Sequence, residues 1–127
     1  MDGWRRLPLR FPAVTDPSPT AQREEQLARV PFFEGLTGEA LQLIAEVTHE
    51  ESYGLGARIF NYGDRGDRVY IVAEGKVRIS RNVSGMGEEA LAVLGPGEVF
   101  GEMALLDESV RSADALAHER CKLLVIA

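Results

Sequence analysis

Residues 97–117 read GEVFGEMALLDESVRSADALA. The run AVLGPGEVF, which overlaps its start, and RSADALA at its end are strand-like. Between them stand the helix formers Glu102, Met103, Ala104, Leu105 and Leu106. A short helix set between two strands is an unusual interruption of a β structure. It starts after Gly101, and Arg111 follows nine residues after Glu102. A helix N-terminus offers unpaired N–H groups and a positive dipole end, which together favour an anion. Gly101 lets the backbone approach a ligand closely. Arg111 brings a planar fork of donors matched to phosphate oxygens, and Ser112 a hydroxyl. Glu102 has the wrong sign for phosphate, but a carboxylate can accept a hydrogen bond from a sugar hydroxyl. The arrangement points to a phosphorylated sugar with a free hydroxyl close by.

Outward from this stretch the chain is β-rich. Ten of the 13 glycines fall between Gly54 and Gly101. They punctuate the runs RIFN, DRVYIVAEG, KVRIS and EEALAVLG; CKLLVIA closes the chain. Short strands separated by turn glycines predict an antiparallel sandwich or barrel. On the N-terminal side, Ser18-Pro19 reads as a cap with proline in the first turn, opening a helix through AQREEQLARV that ends before Pro31. Thr37 caps a second helix, with Leu36 and Leu41 placed as a hydrophobic staple. Leu41, Ile44 and Ala45 form its apolar face, widened by Ala40, Leu43 and Val47. Residues 1–17 carry three of the six prolines and no periodicity, so they are expected to be a linker or disordered arm.

Composition removes several classes. At 127 residues, 45% hydrophobic and 27% charged, the chain suits one globular domain. No apolar run approaches the roughly 20 residues that span a bilayer, and the start lacks the apolar core of a signal peptide. A cytoplasmic protein with no membrane partner is expected. A net charge of −6 with only two lysines argues against direct nucleic-acid binding, which rests on clustered cations. Cys121 is the single cysteine, so there is no intrachain disulfide. His49 and His118 lie far apart in sequence and give no metal spacing. A metal-dependent enzyme of cupin type would need a close His/carboxylate set. Neither a metal nor catalysis is expected.

FGEMALLDESVRSA resembles the phosphate-binding cassette of the cyclic nucleotide-binding domains, the family of the catabolite activator protein and the regulatory subunits of cAMP-dependent protein kinase. Phe100, Gly101, Glu102, Met103, Ala104, Leu105, Leu106, Arg111, Ser112 and Ala113 fit it, with the Glu-to-Arg spacing kept. GDRGDRVYIV (63–72), GKV (75–77) and PFFEGL (31–36) resemble its central strands and entry segment. The resemblance implies a mainly β fold with flanking helices: an antiparallel, jelly-roll-like β-roll (double-stranded β-helix) of about eight strands. N-terminal helices and a short phosphate-binding helix would complete residues 18–127. The hinge and lid helices that close the family's fold are missing after CKLLVIA, so the chain is expected to be C-terminally truncated.

The resemblance further implies a regulatory sensor binding cAMP, in preference to cGMP, through Phe100, Gly101, Glu102, Met103, Ala104, Arg111, Ser112 and Ala113. The Gly101 amides and Arg111 would hold the cyclic phosphate, Glu102 the ribose 2′-hydroxyl, and Ser112 or Ala113 the phosphate or purine edge. Its partners would be the nucleotide and an effector domain or partner protein of a longer parent, with a homodimer open. Two positions depart from the family pattern. Val110 stands where many members have proline, and Asp114 where a threonine or serine often follows. If strand alternation holds, Asp114 shares the side of Ser112 and faces the anion. That departure keeps an alternative open: a degenerate fold acting as an interaction or dimerisation module without ligand.

Overall fold

A computed structural model describes residues 19–102 and 110–127. The expected arm, the Ser18 cap and residues 103–109, which hold the expected inserted helix beyond Glu102, lie outside the described residues. Helix α1 (Pro19–Ala28) is followed by a 3-10 turn at Pro31–Phe33 and helix α2 (Gly38–Glu46). Eight strands complete the described chain: β1 (Thr48–Tyr53), β2 (Arg58–Phe60), β3 (Val69–Glu74), β4 (Val77–Val83), β5 (Gly87–Leu94), β6 (Val99–Phe100), β7 (Asp114–Ala117) and β8 (Cys121–Ile126). They form two antiparallel four-stranded sheets, ordered β1-β8-β3-β6 and β2-β7-β4-β5. This is the expected β-roll, without closure into a barrel.

Alternation along the central strands explains the layers. Tyr70 and Val72 of β3 and Cys121, Leu123 and Val125 of β8 join Val77, Phe100, Ala115 and Ala117 in the core between the sheets. Their neighbours Ile71 and Leu124 turn to the opposite face and pack on Leu27, Val30, Phe33 and Ala45 of the helical segment. The first sheet is therefore covered on both sides, which is why VYIVA and CKLLVIA read as near-continuous apolar runs. In β5 every residue but Leu94 is exposed, and this strand edges the second sheet.

Thr37 caps α2 as expected, its hydroxyl accepting from the Ala40 amide at 3.1 Å. The apolar face of α2 is narrower than the sequence suggests. Ala45 is buried and Leu41 and Ile44 pack beside it, but Leu43 and Val47 are 66% and 52% exposed. Strand β1 was not expected at all, because THEESY has no apolar alternation. Among the described residues it is an edge strand, paired only with β8 from Thr48↔Ile126 to Tyr53↔Cys121. Register partners share a face. The partners of His49, Glu51 and Tyr53 are Val125, Leu123 and Cys121, so these polar residues face the inside of the roll.

Candidate functional site

Arg111 lies between the position of the inserted segment and β7, and its side chain turns into the roll. The residue is 7% exposed. Its Nη1 donates to the Gly101 carbonyl at 3.0 Å and its Nη2 to the Arg68 carbonyl at 2.9 Å. The guanidinium carbon lies 4.3 Å from the centroid of the Phe60 ring and 5.8 Å from that of Tyr70. Such a stack suits a guanidinium, which is planar and weakly hydrated. Among the described residues no carboxylate forms an ion pair with it. Two of its five N–H donors are used by carbonyls, and among the described residues the others meet no carboxylate.

The backbone of Arg111 is fixed by the link between β2 and β3. Its amide donates to the Asp64 carbonyl at 2.6 Å, and the Gly63 amide donates to its carbonyl at 2.8 Å. Next to these bonds, Arg65 and Val110 form an antiparallel bridge. The two glycines that approach the guanidinium do so for different reasons. Gly101 has φ +80°, in the left-handed region, and a Cβ there would also come within 2.9 Å of Arg111 Nη1. Gly66 needs only the space: a Cβ would sit 2.5 Å from Arg111 Cζ and Nε. Sequence reasoning took Gly66 for a turn glycine, since nothing local announces a contact with a residue so far along the chain.

Beneath the guanidinium lies an aromatic floor. Tyr70 and Phe100 stack at 5.0 Å between centroids, and Phe60 lies 5.8 and 6.0 Å from them. Phe100 is 4% and Tyr70 3% exposed, so both rings serve packing. Glu102 follows Gly101 in a turn and is half-buried, while Ser112 is exposed and Ala113 buried. Met103 and Ala104 lie outside the described residues. Sequence reasoning missed Phe60, Gly66 and the Arg68 carbonyl as parts of the site.

The expectation that Asp114 faces the anion is overturned. Residues 112 and 113 form a bend, and β7 begins only at Asp114, so alternation does not run from Ser112. Ala115 and Ala117 enter the inner core and Asp114 takes the opposite face. There its carboxylate accepts the Tyr62 amide at 2.6 Å and lies 3.7 Å from Arg58 Nη1. Asp114 thus braces the same link that carries Gly63 and Gly66, from outside.

A second polar cluster lines the inner face at β1. Glu51 accepts from the Tyr53 hydroxyl at 2.6 Å, from Arg68 Nη2 at 2.9 Å, and pairs with His49 Nε2 at 2.7 Å. Burial by itself would raise the Glu51 carboxyl, but the hydrogen bonds from Tyr53 and His49 and the charge and hydrogen bond of Arg68 outweigh it, and the group is held below its ordinary value. The Tyr53 phenol is pushed well above its ordinary value, first by burial and then by its bond to Glu51. The Cys121 thiol is raised by burial and by Glu119, the opposite direction from an activated thiolate. No group of three or more metal-ligating side chains occurs among the described residues. No helix among them is long and apolar enough to cross a membrane.

A family model described as "Cyclic nucleotide-binding domain" matches residues 50–127. The "Cyclic AMP receptor protein" of Thermus thermophilus is 48% identical over 96 residues, covering 76% of this chain and 44% of that protein. The cGMP-dependent protein kinase egl-4 of Caenorhabditis briggsae is 33% identical over 92 residues, covering 72% of this chain and 12% of the kinase. Among solved structures, the regulatory domain of Toxoplasma gondii PKA with cAMP superposes with a TM-score of 0.79 at 28% identity. That match covers 85% of this chain and 42% of the other. The chain thus spans less than half the length of each of these relatives.

Proposed function

The chain belongs to the cyclic nucleotide-binding domain family, and from that premise we propose that it is a sensor for cAMP, in preference to cGMP, built around Arg111. One observation carries the reading. Arg111 is buried, held by two carbonyls and an aromatic face, and paired with no carboxylate among the described residues. A buried cation without a counter-charge is costly, and an anionic ligand that docks there removes the cost. The cyclic phosphate supplies that charge. Arg111 pairs with its equatorial oxygens, and the backbone at Gly101 approaches it closely. Glu102 accepts the ribose 2′-hydroxyl, Ser112 and Ala113 border the phosphate or purine edge, and Met103 and Ala104 complete the cassette.

The preference for cAMP draws support from the identity to a cyclic AMP receptor protein, higher than that to a cGMP-dependent kinase. The domain performs no chemistry on its ligand. Binding acts by differential affinity for two arrangements of the cassette, read by an effector elsewhere in a longer cytoplasmic protein. Calorimetric titration with cAMP, cGMP and 2′-deoxy-cAMP tests the reading. The expected order is cAMP tightest, with Glu102→Gln shrinking its advantage over the 2′-deoxy analogue. Equal affinity of the wild type for both adenine nucleotides overturns the role of Glu102, and absence of any binding overturns the function.

A further inference from the structure

Resting on the reading of Arg111 as the phosphate ligand, we propose that Glu51 is a positioning residue for that arginine, acting through Arg68. The two residues sit on strands that flank β8, Glu51 within β1 and Arg68 just before β3. Glu51 faces inward with its register partner Leu123. Arg68, two residues before the inward-facing Tyr70, reaches the Glu51 carboxylate across the inner surface of β8 at 2.9 Å. The carbonyl of the same Arg68 receives Arg111 Nη2 at 2.9 Å. Arg68 thus takes hold of Glu51 with its side chain and of Arg111 with its backbone.

The backbone of Arg68 needs such an anchor. Pairing of β3 with β8 begins only at Val69, opposite Ile126, so no ladder bond between these strands sets the Arg68 carbonyl. A guanidinium fixed at its far end restricts the residue that bears it. Glu51 is itself held by Tyr53 on one oxygen and by His49 on the other. His49 Nε2 also lies 3.3 Å from Arg68 Nη2, so the titratable side chains that meet here are His49, Glu51 and Arg68, with the Tyr53 and Tyr70 phenols beside them. On β8 the facing residues Leu123 and Val125 are apolar, and Tyr70 is the further side-chain partner of Arg68. Losing the Glu51 carboxylate removes the charged partner of Arg68, leaves its side chain the weaker hold of Tyr70, and so loosens one of the two carbonyls that aim Arg111.

The test uses the whole chain and two readouts. The first needs no nucleotide: guanidinium ¹⁵N NMR of Arg111, assigned with Arg111→Lys. Rotation about the Nε–Cζ bond should be restricted in the wild type and freed in Glu51→Ala. Glu51→Gln, which keeps the side-chain shape and one acceptor, should lie between and guards against misfolding of the alanine variant. The second is cAMP affinity in a double-mutant cycle. Glu51→Ala should weaken binding about five- to tenfold in the wild type and less than twofold in the Arg111→Ala background, whereas general destabilisation would act alike in both. An Arg111 guanidinium that stays restricted in both Glu51 variants, or equal weakening in the two backgrounds, overturns the proposal. If the NMR result is as expected but no cAMP binds to the wild type, the positioning role stands and the nucleotide reading falls.

Discussion

Gly66 lies so close to the Arg111 guanidinium that a methyl group in place of its hydrogen would stand 2.5 Å from Cζ. The contact joins the link between β2 and β3 to the arginine that precedes β7. Gly66→Ala must push the guanidinium aside, because a buried arginine cannot be overpacked without moving. The displaced side chain loses its carbonyl partners or its stack on Phe60. Because the clashing atoms end a flexible side chain, the fold should survive. We expect cAMP affinity to fall at least tenfold with the circular dichroism spectrum unchanged; wild-type affinity would show that the guanidinium tolerates another position.

Phe60 supplies the face on which Arg111 rests, 4.3 Å from ring centroid to Cζ. A cation–π contact of this kind contributes about 0.5–2 kcal/mol. Phe60→Leu keeps apolar bulk and removes the ring, so nucleotide binding should weaken about three- to tenfold. Phe60→Tyr should stay closer to the wild type. Equal affinities for all three proteins would mean that the ring serves only the core.

Asp114 decides between two physical pictures. If its carboxylate faced the anion, Asp114→Asn would tighten cAMP binding. It instead accepts the Tyr62 amide from outside the sheet. Asp114→Asn, which retains an acceptor, should leave affinity within twofold. Asp114→Ala removes the acceptor of a part-buried hydrogen bond and should cost about 0.5–1.5 kcal/mol of stability by denaturant unfolding. Tighter binding by the Asn variant would restore the inward-facing picture.

Acidification should weaken the cluster at β1. Glu51 is held below its ordinary carboxyl value in the folded protein. A depressed folded value means that the unfolded chain takes up this proton first, so the contribution is present above the unfolded value near 4.5. It is lost as the pH falls through the folded value. Wild type should therefore lose its melting-temperature advantage over Glu51→Gln as the pH drops below about 4.5. A constant difference across that range would show that Glu51 titrates normally.

The fold was legible in the sequence where one residue's environment is set by near neighbours. Thr37 announces its cap, the turn glycines separate β2 through β6, and the runs at β3 and β8 announce strands covered on both faces. The run from Gly101 to Arg111 singled out two residues that the structure joins, Arg111 Nη1 donating to the Gly101 carbonyl. Three things were hidden, each for a physical reason. Strand β1 carries His49, Glu51 and Tyr53 inward, so its polar sequence imitates a loop. Gly66 and Phe60 join Arg111 through long-range contacts, and Arg68 contributes a carbonyl, which every residue possesses. The bend at Ser112 and Ala113 resets the alternation, which turned Asp114 away from the side that strict periodicity assigns.

The role of Arg111 is tested most directly by calorimetric titration of cAMP into the wild type and Arg111→Ala. A charge-assisted hydrogen bond contributes about 1.5–3 kcal/mol, which corresponds to at least a tenfold change in affinity. The expected result is one saturable site in the wild type and binding at least tenfold weaker in a folded Arg111→Ala protein. The same dissociation constant for both proteins, with the variant folded, contradicts the assignment of Arg111 as the phosphate ligand.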